Sequence, residues 1–590
     1  MLRVLVCAVA VGAVMLLGPA APAAREGSQR EMVRVEGDRV LVETGTLTAV
    51  IEKGFITSLR SRRTGEEFIR PFDVSQEAAL QLLYRSWDLV PLEDRAPKEG
   101  EIRCLQLSPD RAQVIFHCWD GDGVIEITAD PDTGDLIIEP SAFSSRPGVV
   151  SCRWVIRGLR EDLELVAPVK QGLRLPLDDP LIKGSRWEWP MFWEAQLAIL
   201  QGDKSGLWVH SQDTRFRYKA LRVGSESDAH ALGLETEAYG PVEGNLGAGG
   251  VAWGVNVYDG DWRVPAARYR DWLWKAYDLA AEERKRPAWL PTITLALSWC
   301  PTDPDLLDAL AQRVPPERVL LHVPNWRTDQ YDENYPAFVA SDEGKAFIRK
   351  ARAMGFHAAP HFNTVDMDPT HPVYPLLRDF QYRDLWSGRL HGWGWADGGY
   401  LSVPESNLAR TKHRDKKVMV KIHPGLAMWR SVLGESILAA AQDLPLDTVF
   451  TDVSLCVSNL QNAMVEGMTP AEGMLRLIRD VSSLGDGLAV GGEGLNEITM
   501  QGLTFAQAHL LTEDPEQLKR PYACDLNQFL WGKLCRIIGY THCGGQSETD
   551  RLVRAVYDAQ GAIPTLTVGS AEEITSPTPE VEEVLRKAGR

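Results

Sequence analysis

Two short stretches end apolar runs on carboxylates. In AVGGEGLNE (489–497) the run meets two glycines and then Glu493, with Glu497 four residues on; in DTVFTDVS (447–454) it ends on Asp452. If both runs are strands and the strands are neighbours, the carboxylates stand roughly 4.8 Å apart. A retaining glycosidase needs two carboxyl groups at about 5–5.5 Å, one as nucleophile and one as acid/base. Like charges that close resist ionising together, so one pKa rises and supplies the protonated acid. Gly491, Gly492 and Gly494 would let backbone and substrate approach closely. Each carboxylate alone could cap a helix or pair with an arginine, but the two at successive strand ends favour catalysis. Glu497 reads better as a loop or helix-start residue than as the acid, and is kept only as a substrate contact.

The elements that must position this pair follow from the grammar of the second half. From Trp289 on, apolar runs alternate with helical patterns. TITLALSW (292–299), RVLLHVPNW (318–326), HAAPHFN (357–363), DTVFTDVS (447–454) and GLAVGGE (487–493) read as strands buried on both faces. TFAQAHLL, LCRIIGY and IPTLTVG supply strands six to eight. Helices are expected after a Thr302 or Asp303 cap, over 341–355, over 426–443, and over 469–485, where Thr469, Pro470 and Glu472 form an N-terminal capping signature and Gly485 stops the helix. Eight such units over about 280 residues predict a (β/α)8 TIM barrel. An open doubly wound sheet is the alternative, but no G-x-G-x-x-G follows the first strand.

Function in a TIM barrel gathers at the C-terminal ends of the strands. The polar and aromatic residues expected there are Trp299; Asn325, Trp326 and Asp329; His361, Asn363 and Asp366; Asp452; Glu493; and Tyr540 and His542. Beside the catalytic pair these are the candidate substrate-binding residues. Trp395, in the insertion HGWGWADGGY (391–400), and Glu497 complete the set. The chain has 19 tryptophans, and those near the mouth (299, 326, 386, 393 and 395) could stack on the apolar faces of sugars. His322, His361 and His542 lack metal-ligand spacing, so no metal and no cofactor is expected.

Residues 25–260 are different. They alternate apolar and polar residues between Gly- and Asp-rich turns, which predicts an antiparallel β-super-sandwich. A helical linker (261–288) leads to the barrel (289–570) and a C-terminal tail (571–590). Residues 1–24 read as a cleavable signal peptide: Arg3, an apolar run over Val4–Gly18, and Ala21-Pro22-Ala23 before the cut. The run is shorter than the roughly 20 residues of a membrane span. The expected location is therefore secreted or periplasmic, where disulfides are permitted. A net charge of −18 with no basic stripe argues against a nucleic-acid partner. The expected partner is an oligo- or polysaccharide.

VFTDVSLCVSNLQ (449–461) and VGGEGLNE (490–497) resemble the strand-four nucleophile and strand-five acid/base segments of endo-α-N-acetylgalactosaminidase-like enzymes, within the larger group that includes α-galactosidase-like proteins. VRVEGDRVLVETGTLTAVIEKGFITSL, YDGDWRVPAARYRDW, DENYP and TPAEGM resemble a closer bacterial family of exported, uncharacterised glycosidase-like proteins. The resemblance implies Asp452 as nucleophile, Glu493 as acid/base and retention at an α-anomeric centre. His361-Phe362-Asn363 departs from the Tyr-x-Asn pattern of those enzymes. Two other readings remain: a carbohydrate-binding scaffold on a glycosidase-like barrel, and a sugar lyase or isomerase.

Overall fold

The computed structural model describes residues 31–75, 78–92, 101–118, 121–224, 230–394 and 418–589. The leader and Trp395 lie outside the described residues. Among them, no helix is long and apolar enough to cross a membrane. Cys104, Cys152, Cys300, Cys456, Cys524, Cys535 and Cys543 are free thiols.

The first half is all β, as its alternation requires. A four-stranded meander over Val33–Ser61 packs with a six-stranded and a ten-stranded antiparallel sheet. Leu47–Glu52 buries every second residue, the pattern of a strand with one face on a core. Val149–Leu159, by contrast, is buried along its whole length and is paired on both sides, by Leu80–Tyr84 and His230–Glu237. Tryptophans fill the space between the sheets: Trp154 donates to the Gly54 carbonyl (3.1 Å), and Trp193 stacks on Trp253.

The linker is two helices, Arg263–Ala276 and Leu279–Arg284, broken at left-handed Asp278. Tyr269 and Leu273 bury one face of the first helix.

The barrel strands are β1 (Leu295–Leu297), β2 (Val319–Val323), β3 (His357–Asn363), β4 (Thr448–Asp452), β5 (Ala489–Glu493), β6 (Phe505–Ala508), β7 (Arg536–Gly539) and β8 (Thr565–Leu566). They pair in parallel from β1 round to β7, and β8 pairs with β1. The ring closes between Ile538 and Ile563, where the Ile563 amide donates to the Ile537 carbonyl. This is the expected TIM barrel, and the doubly wound alternative falls. Several strands are shorter than their apolar runs. The residues before β1 form a 3-10 turn (Leu290–Thr292), into which Pro291 fits.

Asp303 rather than Thr302 caps the first barrel helix, Pro304–Ala311. Thr469 and Glu472 make both bonds of a capping box at Pro470–Ser482, but that helix stops three residues before Gly485. The β5–β6 connection has no α-helix, only the 3-10 turn Thr499–Gln501. After β3 a small antiparallel sheet (Asp366–Met367, Gly392–Gly394, Val418–Lys421) rises beside the mouth.

The barrel interior is layered. Ala296, Leu320, Ala359, Phe450, Phe505, Ile538 and Ile563 form one apolar layer. Side chains alternate along a strand, so the residue two positions on faces inward again, one layer higher. There the apolar layer gives way to Ser298, His322, His361, Asp452, Glu493 and Gln507.

Candidate active site

The register Thr451↔Gly492 places Asp452 beside Glu493, both inward. The glycines that precede Glu493 are explained by protein packing, not by the expected approach of substrate. A Cβ on Gly491 would lie 2.1 Å from Phe505 Cζ, so the missing side chain makes room for that ring on the barrel axis. Gly492 faces outward, where a Cβ would lie 2.4 Å from Ser454 Oγ. That space lets Ser454 hold the Glu493 backbone at both ends: Glu493 N–H donates to Ser454 Oγ (2.9 Å) and Ser454 Oγ donates to the Glu493 carbonyl (3.0 Å). Gly494 turns the chain at φ +67°.

Backbone strain gathers at the same rim. Trp299, Val453 and His542, just past strand ends, and Asp332 and Asn334, in the loop after β2, have left-handed φ near +60°. Val453 is β-branched, for which this conformation is a true outlier. It turns its N–H onto Glu493 Oε2 at 3.1 Å.

Asp452 and Glu493 keep only 14% and 15% of their side-chain surface, enough for a ligand to reach them. Tyr331 donates its hydroxyl to Asp452 Oδ2 (3.1 Å), and His361 Nε2 stands 3.5 Å from the same oxygen. Burial, then the nearby charges of Glu493, Asp332 and Asp366, hold Asp452 well above the usual carboxylate range, against the Tyr331 hydrogen bond. Burial also pushes Glu493 up. His509, with Nε2 3.1 Å from Oε1, together with Lys421 and the Val453 amide, outweighs burial and brings Glu493 below its ordinary value. The two titrate as a pair, with Asp452 the member whose protonated form the surroundings favour.

The expected substrate-binding residues do not all sit together. Trp299 and Tyr540 line the mouth beside Tyr331, the Trp299 ring lying 5.6 Å from Tyr331 and 6.0 Å from Tyr540. Asn325 is exposed, and Asp329 is half-buried and accepts from Asn334. Asn363 and Asp366 are buried at and just past the end of β3: Asn363 Nδ2 donates to Asp366 Oδ2 (3.1 Å), and Lys421 Nζ meets Asp366 Oδ1 at 2.6 Å. His361 belongs behind Asp452.

Three residues are placed elsewhere. Trp326 is fully buried and spends its indole N–H on the His361 carbonyl, so it backs β3 and cannot stack on a sugar. Glu497 is also fully buried. It accepts from Tyr269 (2.6 Å) and Gln196 Nε2 (2.6 Å), which makes it the joint between barrel, linker and sandwich rather than a substrate contact. His542 binds Asp550 at the start of the helix Glu548–Gln560. Trp386, expected near the mouth, stacks on Trp87 of the sandwich at 3.7 Å. Among the described residues, no cluster of three or more His, Cys, Asp or Glu is placed to hold a metal.

The sequence reading missed Lys421 and His509. Lys421 had a signal: one lysine inside the apolar run VMVKI. His509 was hidden by reading strand six through to Leu511, whereas β6 ends at Ala508 and leaves His509 on the rim.

A domain family of unknown function, DUF6259, matches residues 251–464. No curated protein matches the sequence. Among solved structures, the chain is similar to α-N-acetylgalactosaminidase NagBb from Bifidobacterium bifidum in its Gal-NHAc-DNJ complex: 12% identity, TM-score 0.64, covering 93% of this chain and 92% of that one. The GalNAc complex of the same enzyme gives 14% identity and TM-score 0.61, over 95% and 92%. The GH36 α-galactosidase AgaA from Geobacillus stearothermophilus follows at 10% identity and TM-score 0.47, over 93% and 85%. The chain is thus distantly similar in fold, over nearly its whole length, to α-N-acetylgalactosaminidase; at these identities the likeness is one of fold.

Proposed function

We propose that this protein is an exported retaining glycoside hydrolase that cleaves α-linked glycans by double displacement. The observation that carries the reading is the adjacent placement of Asp452 and Glu493 in one inward-facing layer at the barrel mouth, with Glu493 Oε2 on the amide next to Asp452. Asp452 attacks the anomeric carbon through Oδ1, while Oδ2 is held by Tyr331. Glu493 protonates the leaving oxygen and then activates water from the same position. The mechanism requires Asp452 ionised and Glu493 protonated, so a proton shared by the pair has to stand on Glu493 when the leaving oxygen approaches it.

Asp366 and Lys421, a neutralised pair with hydrogen-bonding capacity beside the carboxylates, bind sugar hydroxyls, and Trp299 and Tyr540 border the ring. The GalNAc complex of NagBb makes terminal α-N-acetylgalactosamine the first substrate to test.

Asp452→Gly and Glu493→Gly should each lose hydrolysis of an activated aryl α-glycoside and recover it with azide. The Asp452 variant should yield the β-glycosyl azide and the Glu493 variant the α-azide. Exchanged products would reverse the roles. Glycan binding without turnover or a trapped fluorosugar adduct would leave a carbohydrate-binding scaffold, and unsaturated products a lyase.

A further inference from the structure

A hydrogen-bonded run starts at a backbone amide and ends at His361, whose Nε2 faces Asp452. Trp299 N–H donates to His322 Nδ1 at 3.2 Å. Gln507 Nε2, which donates to Ser298 Oγ (3.1 Å), also stands 3.4 Å from that nitrogen. Ser298 Oγ in turn donates to the Tyr540 carbonyl, so its lone pair faces Gln507. Burial pushes His322 down to about 3 and is the largest cause of the lowered His361 value, so both rings are neutral.

A neutral imidazole that accepts at Nδ1 carries its proton on Nε2. His322 Nε2–H therefore donates to His361 Nδ1 at 3.1 Å. His361 is placed in the same tautomer, and its Nε2–H has one oxygen in front of it, Asp452 Oδ2 at 3.5 Å. His361 Nε2 has no hydrogen-bond partner within ordinary distance among the described residues.

We propose that His322 and His361 form a tautomer relay, anchored on the Trp299 amide, that presents an N–H to Asp452 Oδ2 and leaves Oδ1 free to attack. The relay rests on the reading of Asp452 as nucleophile. At 3.5 Å the last contact is long, and it shortens when the site closes on substrate, as catalytic hydrogen bonds commonly do. A donor to the charged form favours that form. The relay thus acts with Tyr331 against burial and against Glu493, Asp332 and Asp366, and helps Asp452 give up its proton. A charged imidazolium is excluded by burial and by Arg327, which also faces His361. Lys421, His509, Tyr540 and Lys170 of the sandwich also act on Glu493, and Tyr335 on Asp452. His322 and His361 are positioning residues, not catalytic ones.

Long-range 1H–15N spectra of the full chain labelled with 15N-histidine read the tautomers directly. Both rings are expected as Nε2–H from pH 5 to 8. His322→Phe should admix the Nδ1–H form of His361 and lower kcat roughly tenfold to a hundredfold, the worth of a hydrogen bond to a charged group. KM should stay within about twofold, and the acid limb of the pH profile should move upward. His322→Gln, whose amide can accept from Trp299 and donate to His361, should recover most of kcat.

Nδ1–H or charged rings in the parent protein overturn the relay, as does equal loss of kcat in the Phe and Gln variants. Parent spectra decide even if the Phe variant does not fold. Nε2–H rings in a protein that cleaves no glycoside would spare the relay and sink the proposed function; hydrolysis by a protein with Nδ1–H rings would do the reverse.

Discussion

Gly491→Ala should damage the site from below. The new Cβ would fall 2.1 Å from Phe505 Cζ, 2.3 Å from Cε2 and 2.7 Å from Cε1. Relief of that overlap requires the ring or the strand to move by about 1.5 Å, since carbon atoms pack at 3.5–4.0 Å. Neither has room. Phe505 is fully buried in a layer with Phe450, Ile538 and Leu320, and β5 is hydrogen-bonded on both edges, to β4 and β6. Overpacking in such a site costs about 1–3 kcal/mol, and two constrained partners put this case in the upper half. Glu493 lies two residues along the same strand, and a displacement of about 1 Å at a reacting group costs up to 10²-fold in rate.

The cause is isolated by a double-mutant cycle with Phe505→Leu, which removes the clashing ring atoms. Each single change should destabilise the barrel. The double variant should be more stable than additivity predicts by at least roughly 1 kcal/mol, as contacting residues allow. Urea unfolding, with hydrogen exchange at β5 and β6 amides to report the barrel, gives the four stabilities. A Gly491→Ala protein within about 0.5 kcal/mol of the parent, or an additive cycle, would falsify the packing account of the glycine.

Removing the Tyr331 hydroxyl (Tyr331→Phe) takes away a donor to ionised Asp452; the acid limb of kcat/KM should rise by about one pH unit, read from the pH–rate profile. Asp366→Asn leaves the Lys421 ammonium buried without its 2.6 Å partner, and should cost roughly 3–5 kcal/mol in urea unfolding. Glu235 is buried, but Arg186 and Arg153 outweigh burial and hold it down at about 2. Its folded value lies below the unfolded one, so its contribution is present above pH 4.5 and lost as pH falls toward 2, worth roughly 3 kcal/mol in all. Glu235→Gln should therefore be destabilised at pH 6 and approach the parent only as pH falls to about 2; a constant difference between them would contradict that linkage.

The fold was legible because the barrel strands repeat one rule. Ala296, Leu320, Ala359, Phe450 and Phe505 are each followed two residues later by Ser298, His322, His361, Asp452 and Gln507. A period of two with a switch from apolar to polar marks both the inward face and the height at which the barrel opens. Asp452 and Glu493 sit on that line, so the pair could be read from sequence. Trp326 was misread because an aromatic just past a strand looks the same whether it turns to the mouth or back to the helices. Tyr331, Lys421 and His509 reach the pair from loops and from an antiparallel insertion, whose paths no strand periodicity encodes.

The strand that carries Glu493 also depends on the other half of the chain. Between β5 and β6 the usual helix is missing, and the sandwich fills its place. Glu497 binds Gln196 and Tyr269, its amide donates to the Glu194 carbonyl (2.8 Å), and Gln171 Nε2 donates to the Leu495 carbonyl (3.0 Å). Glu194 is itself fixed by Gln171 and by Asn527 of the helix after β6. A barrel cut free of its sandwich would expose Glu497 and the outer side of β5 to water at the strand that must hold Glu493 in place. The sandwich is thus part of the candidate site's support, although none of its described residues hydrogen-bonds Asp452 or Glu493, and the second acid of AVGGEGLNE is the residue through which that support is delivered.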